Sequence, residues 1–101
     1  MKIEFQEHFI KFIEGAKAKV QKNYDENYPN APREEISFTI GPKYIRVTLG
    51  HSAYCFIDLE TGRVWKPAGW KAAERKNPRS CIFDKDYGLS GVTAYGTTYL
   101  R

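Results

Sequence analysis

A change of hydrophobic period between the start and the middle of the chain most constrains the fold. Up to residue 24, apolar side chains recur every three or four residues, which is the period of an amphipathic helix. They are Phe5, Phe9, Phe12, Ile13, Ala16, Val20 and Tyr24. From residue 36 the apolar positions alternate instead, as they do in a strand with one buried face. This switch predicts one helix that packs on a sheet.

Four alternating segments follow the loop at residues 23–32. They span residues 36–40, 44–49, 53–58 and 63–66, and Gly- and Pro-containing turns separate them. In the first segment we expect Ile36, Phe38 and Ile40 to share a buried face. We predict a single α+β domain over residues 1–101, with an N-terminal amphipathic helix at about 3–24 on an antiparallel meander sheet of four or more strands. A short second helix at 68–76 and a Gly/Tyr-rich C-terminal segment complete it.

Composition argues against a membrane or secreted protein. Charged residues interrupt the apolar residues of the first twelve positions, and no apolar run is long enough to span a bilayer. We therefore expect a cytoplasmic protein with no membrane partner. Cys55 and Cys81 are then expected to be reduced thiols, with Cys55 as a small buried hydrophobe inside an apolar strand.

The positive charge of the chain is concentrated in one segment. The whole chain carries a net charge of +4, while residues 63–79 contain six cations and Glu74 as their single acid. Two tryptophans interleave with these cations, a mixture typical of single-stranded nucleic-acid binding. The candidate nucleic-acid-binding residues are Arg63, Lys66, Lys71, Arg75, Lys76, Arg79 and Trp65.

The predicted second helix would organise this segment. Helical spacing places Lys71 and Arg75 on one side and turns Trp70 and the alanines at 72 and 73 inward. Trp65 could lie on either face of its strand. Lys43 and Arg46 are possible additional contacts. The alternative interpretation is a solvated charged surface beside an acidic neighbour.

Catalytic and metal patterns are weak. His51 and Cys55 lie four residues apart along a strand, about 13 Å, which is too far for a hydrogen bond unless the turn folds back. The Asp84-Lys85-Asp86 and Gly88-x-x-Gly91 patterns are typical of turns. We therefore predict no catalytic residues, no metal site and no cofactor, and a protein that is not an enzyme.

Two stretches carry a resemblance. The Lys-Pro-Ala-x-Trp-Lys-Ala segment at 66–72 and the Tyr-Gly-x-x-Tyr-Leu-Arg segment at 95–101 resemble a group of short bacteriophage proteins of uncharacterised function. The resemblance implies a phage origin and action in the cytoplasm of an infected host cell, and it implies no activity. We expect Tyr95, Tyr99 and Leu100 to pack the C-terminal segment onto the domain.

Two functions remain open. The first is a non-catalytic nucleic-acid-binding module that uses the basic and aromatic surface at 63–79. The alternative is a protein-binding factor that modulates or inhibits a host or phage protein. Interfaces with proteins favour the same aromatic and arginine residues, so composition does not separate the two functions. Salt dependence does, because binding to phosphates weakens steeply as salt rises.

Overall fold

A long N-terminal helix packs on an antiparallel sheet in the computed structural model, which describes residues 2–98. Helix α1 spans Ile3–Asn27 and is followed by β1 (Ile36–Ile40), β2 (Tyr44–Leu49), β3 (Ser52–Asp58), β4 (Arg63–Trp65) and β5 (Ser80–Cys81). These five strands form one sheet in chain order, and each pair is antiparallel. A 3₁₀ turn at Leu89–Gly91 leads into a small hairpin of β6 (Val92–Thr93) and β7 (Gly96–Thr97). The predicted α+β fold with a meander sheet is confirmed.

Helix α1 buries the predicted stripe and runs slightly beyond the predicted end. The side chains at 5, 9, 12, 13, 16 and 20 are all buried, and Tyr24 packs against the same core. Side-chain pairs at i,i+4 extend the last turns, including a 2.8 Å hydrogen bond from Asn27 Nδ2 to Asn23 Oδ1. The helix ends at Asn27, because Tyr28 precedes Pro29 and leaves the helical conformation as a residue before proline commonly does.

One face of the sheet supplies the other half of the core. The register pairs Ile45 of β2 with Ile57 of β3, and Ile57 with Val64 of β4. Because paired residues project to the same side, these three side chains face α1 with Val47, and none of the four is exposed to solvent. Residues between them in the sequence therefore project to the opposite side of the sheet.

Strand β1 departs from its prediction. Ile36 is buried, but Phe38 is 47% exposed and Ile40 is 55% exposed. The alternation itself is correct, since all three pair with β2 residues of the core face. The expectation that all three are buried was wrong because β1 is the outermost strand, where α1 covers the sheet incompletely.

A lysine of α1 bonds the C-terminal part of the chain to the helix. The Lys19 ammonium donates hydrogen bonds to the carbonyl oxygens of Leu89 at 2.6 Å and Val92 at 2.8 Å. Val92 is buried in the core, whereas Tyr95 is 72% exposed, so the expected packing of Tyr95 was wrong. Tyr99 and Leu100 lie outside the described residues. Within residues 2–98, no helix is both long enough and apolar enough to cross a membrane.

Candidate nucleic-acid interface

The side of the sheet that faces away from α1 carries aromatic and cationic side chains. We call it the second face, defined by Thr39, Tyr44, Arg46, Phe56 and Trp65. The register places them together, since Thr39 pairs with Arg46, Arg46 with Phe56, and Phe56 with Trp65. A single alternating pattern thus sends aliphatic residues to the core and this set to the opposite side.

Residues 66–79, which we call the basic loop, form no helix. The predicted helix at 68–76 was wrong. The chain turns back on itself: the Ala68 and Gly69 N–H groups both donate to the Ala72 carbonyl, and the Glu74 N–H donates to the Lys66 carbonyl at 2.7 Å. A bridge between Pro67 and Ala73 continues this pairing. Nine residues gain little from helix formation in isolation, and a glycine near the start weakens it further.

Cation–aromatic contacts hold the basic loop against the second face. The guanidinium carbon of Arg46 lies 4.3 Å from the centre of the Trp70 ring, and Arg46 Nη1 is 3.4 Å from the Trp70 carbonyl oxygen. The guanidinium of Arg75 lies 5.9 Å from the ring centres of both Tyr44 and Trp65. Strand residues and loop residues therefore form one mixed layer of rings and charges.

The two tryptophans differ in exposure, and Trp70 lies in the opposite environment to the expected one. Trp65, chosen as the ring that stacks on bases, is 5% exposed, and Trp70, expected to pack inward, is 45% exposed. Ala72 is exposed as well, and Ala73 is half-buried. The candidate role of Trp65 in stacking is therefore corrected: its ring is buried beside Arg75 of the basic loop, and Trp70 offers the accessible ring.

A cleft of about 260 Å³ opens on the second face beside the basic loop. We call it the aromatic cleft. Tyr44 and Phe56 line it, with ring centres 6.0 Å apart in an edge-to-face arrangement. Tyr44 is half-buried, whereas Phe56 is buried and forms the floor. Lys43 and Lys71 also line it, and both are exposed, so positive charge lies at its rim. Gly41 and Pro42 of the β1–β2 turn contribute to the lining.

Three polar atoms of the second face are buried without a hydrogen-bond partner. They are Tyr44 Oη, Arg46 Nε and Trp65 Nε1, and they are the buried side-chain atoms found in this state within residues 2–98. An unsatisfied buried polar group costs roughly 1–3 kcal/mol. Two of the three can only donate, and the tyrosine hydroxyl can also donate. The second face therefore contains buried donors within its aromatic layer.

The remaining candidate cations lie in different surroundings. Lys66 is 3.9 Å from Glu74 in an ion pair. Arg79 Nε donates to the Thr98 carbonyl at 2.9 Å and its Nη1 donates to the Asn77 carbonyl, so its guanidinium stabilises the fold. Arg63 and Lys76 are exposed. Of the predicted binding residues, the structure groups Lys71 and Arg75 with the aromatic cleft.

The residues that sequence reasoning missed are Tyr44 and Phe56. Tyr44 precedes the alternating core residues of β2, and Phe56 lies between two core residues of β3. The alternation predicts that both project to the side of the sheet opposite Ile45 and Ile57. It does not predict which segment of the chain covers that side, because this depends on the path of the basic loop.

The residues of the weak catalytic patterns lie in different surroundings. Burial raises the pKa of the Cys55 thiol, and His51 lies exposed in the turn before β3. Asp86 accepts hydrogen bonds from the N–H groups of Gly88 and Ser90, which makes this segment a turn, as predicted. Desolvation raises the pKa of Asp86, but the hydrogen bonds outweigh this effect, so the pKa is lowered overall. Within residues 2–98, no cluster of His, Cys, Asp or Glu could hold a metal ion.

Fold and site together define a class: a two-layer α+β domain with a helix on one side of its sheet and a basic, aromatic layer on the other. Residues 2–91 match a family described as "Family of unknown function (DUF7717)". The chain belongs to this family. Comparisons with curated proteins and with solved structures gave no significant match.

Proposed function

We propose that this protein binds single-stranded nucleic acid through the second face, without catalysis. The observation that carries the proposal is the convergence of the half-buried Tyr44 ring with Lys43 and Lys71 on one open cleft, whose floor is the buried Phe56. Single strands are bound where cations contact phosphates and aromatic rings contact bases. In this arrangement a base enters the aromatic cleft while the lysines at the rim contact the flanking phosphates.

The size and shape of the cleft favour a single strand over a duplex. Its volume of about 260 Å³ suits one flat ring system. A base within a duplex keeps its faces stacked on its neighbours, so it would have to leave the stack to enter. The major groove of a duplex admits a helix or a two-stranded β-ribbon, whereas the second face is one side of a five-stranded sheet.

The unsatisfied polar atoms support the same ligand. Arg46 Nε and Trp65 Nε1 donate hydrogen bonds, and nucleic acids present acceptors on both phosphates and base edges. These atoms lie under the basic loop, so a ligand reaches them when the loop shifts. Weak contacts at ring distances of 4.3 to 5.9 Å hold the loop, and exchange for contacts with a ligand costs little.

The origin and site of action follow from the resemblance at 66–72. We propose a phage protein that acts in the cytoplasm of the infected host. A protein partner for the same surface is the competing function, and the salt dependence of binding distinguishes the two.

The test is fluorescence anisotropy with labelled single-stranded DNA, single-stranded RNA and duplex DNA. If two phosphates are contacted, a fourfold rise in salt weakens single-strand binding roughly sevenfold. Lys71→Glu and Lys43→Glu are each expected to weaken binding and to reduce the salt slope by about 0.7. Lys11→Glu is the matched control, since it makes the same charge change on an exposed residue of α1.

Three results would count against the proposal. They are no binding at low salt, equal binding to duplex, and equal losses for Lys71→Glu and Lys11→Glu. The first would favour the protein-binding function, and the last would mean that net charge and not this cleft attracts the nucleic acid.

A further inference from the structure

The outer edge of β1 presents backbone groups without a partner strand. The Gly50 N–H donates to the Glu35 carbonyl, and the Gly41 N–H donates to the Tyr44 carbonyl, so both ends of the β1–β2 ladder are fixed. Hydrogen-bonded and non-hydrogen-bonded pairs alternate along the ladder between those ends. The N–H and C=O groups of residues 37 and 39 are therefore the ones that bond to β2. The N–H and C=O groups of residues 36, 38 and 40 therefore point outward.

This edge lacks the features that usually prevent strand pairing. Exposed edges are commonly protected by a charged side chain, a proline or a bulge. Strand β1 reads Ile-Ser-Phe-Thr-Ile, which contains neither a charge nor a proline. Its register with β2 runs without a shift over all five residues. Strand β1 is therefore a regular, uncharged template for another strand.

An apolar groove accompanies the open edge. It lies between α1 and β1, has a volume of about 580 Å³, and is lined in part by Phe9, Ile10, Phe38 and Ile40. Phe9 and Phe38 meet edge to face with ring centres 4.9 Å apart. Ile10 is 53% exposed, comparable to Phe38 and Ile40. Exposed apolar side chains and unpaired backbone thus lie along the same line.

The strand is complementary to itself. Its outward-pointing residues read Ile, Phe, Ile in either direction. Antiparallel pairing centred on Phe38 places this ring beside the same ring of a second copy and sets Ile36 against Ile40. Each of the outward residues then exchanges both backbone bonds with its counterpart, which gives about six hydrogen bonds. All of these side chains lie on the same side as α1.

The charges around the groove also suit a second copy. Glu14 and Lys17 both line the groove, so its lining carries no net charge. A two-fold axis reverses the direction of α1 in the second copy. Residues 3–14 contain three acids and one lysine, and residues 15–27 contain three lysines and two acids. The two halves of α1 therefore carry opposite net charge, and reversal of the second helix avoids a parallel alignment of like halves.

We propose that two copies of this chain associate through antiparallel pairing of their β1 strands, forming one continuous sheet. The two-fold axis of such a pair is perpendicular to the sheet, so both helices lie on one side and both second faces on the other. The dimer rests on the β1 edge alone and is independent of nucleic-acid binding.

The test is sedimentation of the full chain over a range of concentrations, together with amide hydrogen exchange. We expect a dimer whose dissociation constant rises at least about thirtyfold with Phe38→Lys, as for a central interface residue. Tyr95→Lys is the control, because it places the same charge on an exposed aromatic of another surface. It should leave the dimer intact.

Hydrogen exchange in the wild-type protein tests the pairing without any substitution. Amides of Ile36, Phe38 and Ile40 should become protected as concentration rises, while those of Ser37 and Thr39 stay protected throughout. A protein that remains monomeric at millimolar concentration overturns the proposal. So does a dimer in which the first three amides still exchange rapidly, or one that Phe38→Lys leaves unchanged.

Discussion

The guanidinium carbon of Arg46 lies 4.3 Å from the centre of the Trp70 ring, so a residue of β2 holds the basic loop against the sheet. Cation–aromatic pairs of this kind contribute about 0.5–1 kcal/mol at partly exposed sites. Contacts this weak allow the loop to stay ordered and still move.

A double-mutant cycle measures that contact. Arg46→Ala and Trp70→Ala should each lower the free energy of unfolding, and the double variant should lose less than their sum by about 0.5–1 kcal/mol. Chemical denaturation of the four proteins gives the coupling energy. Strictly additive losses would show that the ring and the guanidinium do not stabilise each other.

Substitutions at Tyr44 should distinguish the contribution of base stacking to binding from that of charge. If a base stacks on this ring, Tyr44→Ala should weaken single-strand binding by about 1–3 kcal/mol and leave the salt slope unchanged. Tyr44→Phe keeps the ring and removes the unpartnered hydroxyl, so it should retain most of the affinity. Anisotropy titrations at two salt concentrations distinguish the variants. Equal losses for both substitutions would assign the effect to the hydroxyl.

The two thiols should differ sharply in reactivity. Cys55 is fully buried, and desolvation raises its pKa, so little thiolate forms and reagents cannot reach it. Cys81 is half-buried, and its Sγ lies 3.3 Å from the Thr61 carbonyl oxygen. At neutral pH a chromogenic disulfide reagent should modify Cys81 in the native protein and Cys55 only after denaturant is added. Cys81→Ser should abolish the early reaction; rapid modification of that variant would contradict the burial of Cys55.

Removal of the Lys19 ammonium should loosen the C-terminal hairpin. Lys19→Met keeps the length of the side chain but leaves the Leu89 and Val92 carbonyls without their donor. Loss of hydrogen bonds from a charged group predicts a destabilisation of about 1–3 kcal/mol. Thermal and urea unfolding measure it, and Lys11→Met on the exposed side of α1 is the control. A difference between the two variants below about 0.5 kcal/mol would contradict the anchoring role.

Periodicity predicted the helix and the first four strands because each contributes a full stripe or face to the core. Strand β5 was missed since its two residues, Ser80 and Cys81, are too short to show a period. The second helix was wrong because backbone pairing between Lys66 and Glu74, which spacing does not encode, closes the loop instead.

The candidate site was foreseen in its charges more than in its geometry. The cation-rich segment does reach the second face through Lys71 and Arg75. Whether a tryptophan of this segment is buried or exposed depends on how the basic loop crosses the sheet. That path is a tertiary property, so local pattern could not distinguish Trp65 from Trp70.

The alternation along β2 and β3 has an evolutionary consequence. Ile45 and Ile57 face the core, and their neighbours Tyr44 and Phe56 face the cleft. A point substitution on the cleft side can alter the cleft with less disturbance of the packing beneath α1. A one-residue insertion in either strand would invert the pattern and expel core residues into solvent. The scaffold should therefore diversify by substitution, with insertions confined to its turns and to the basic loop.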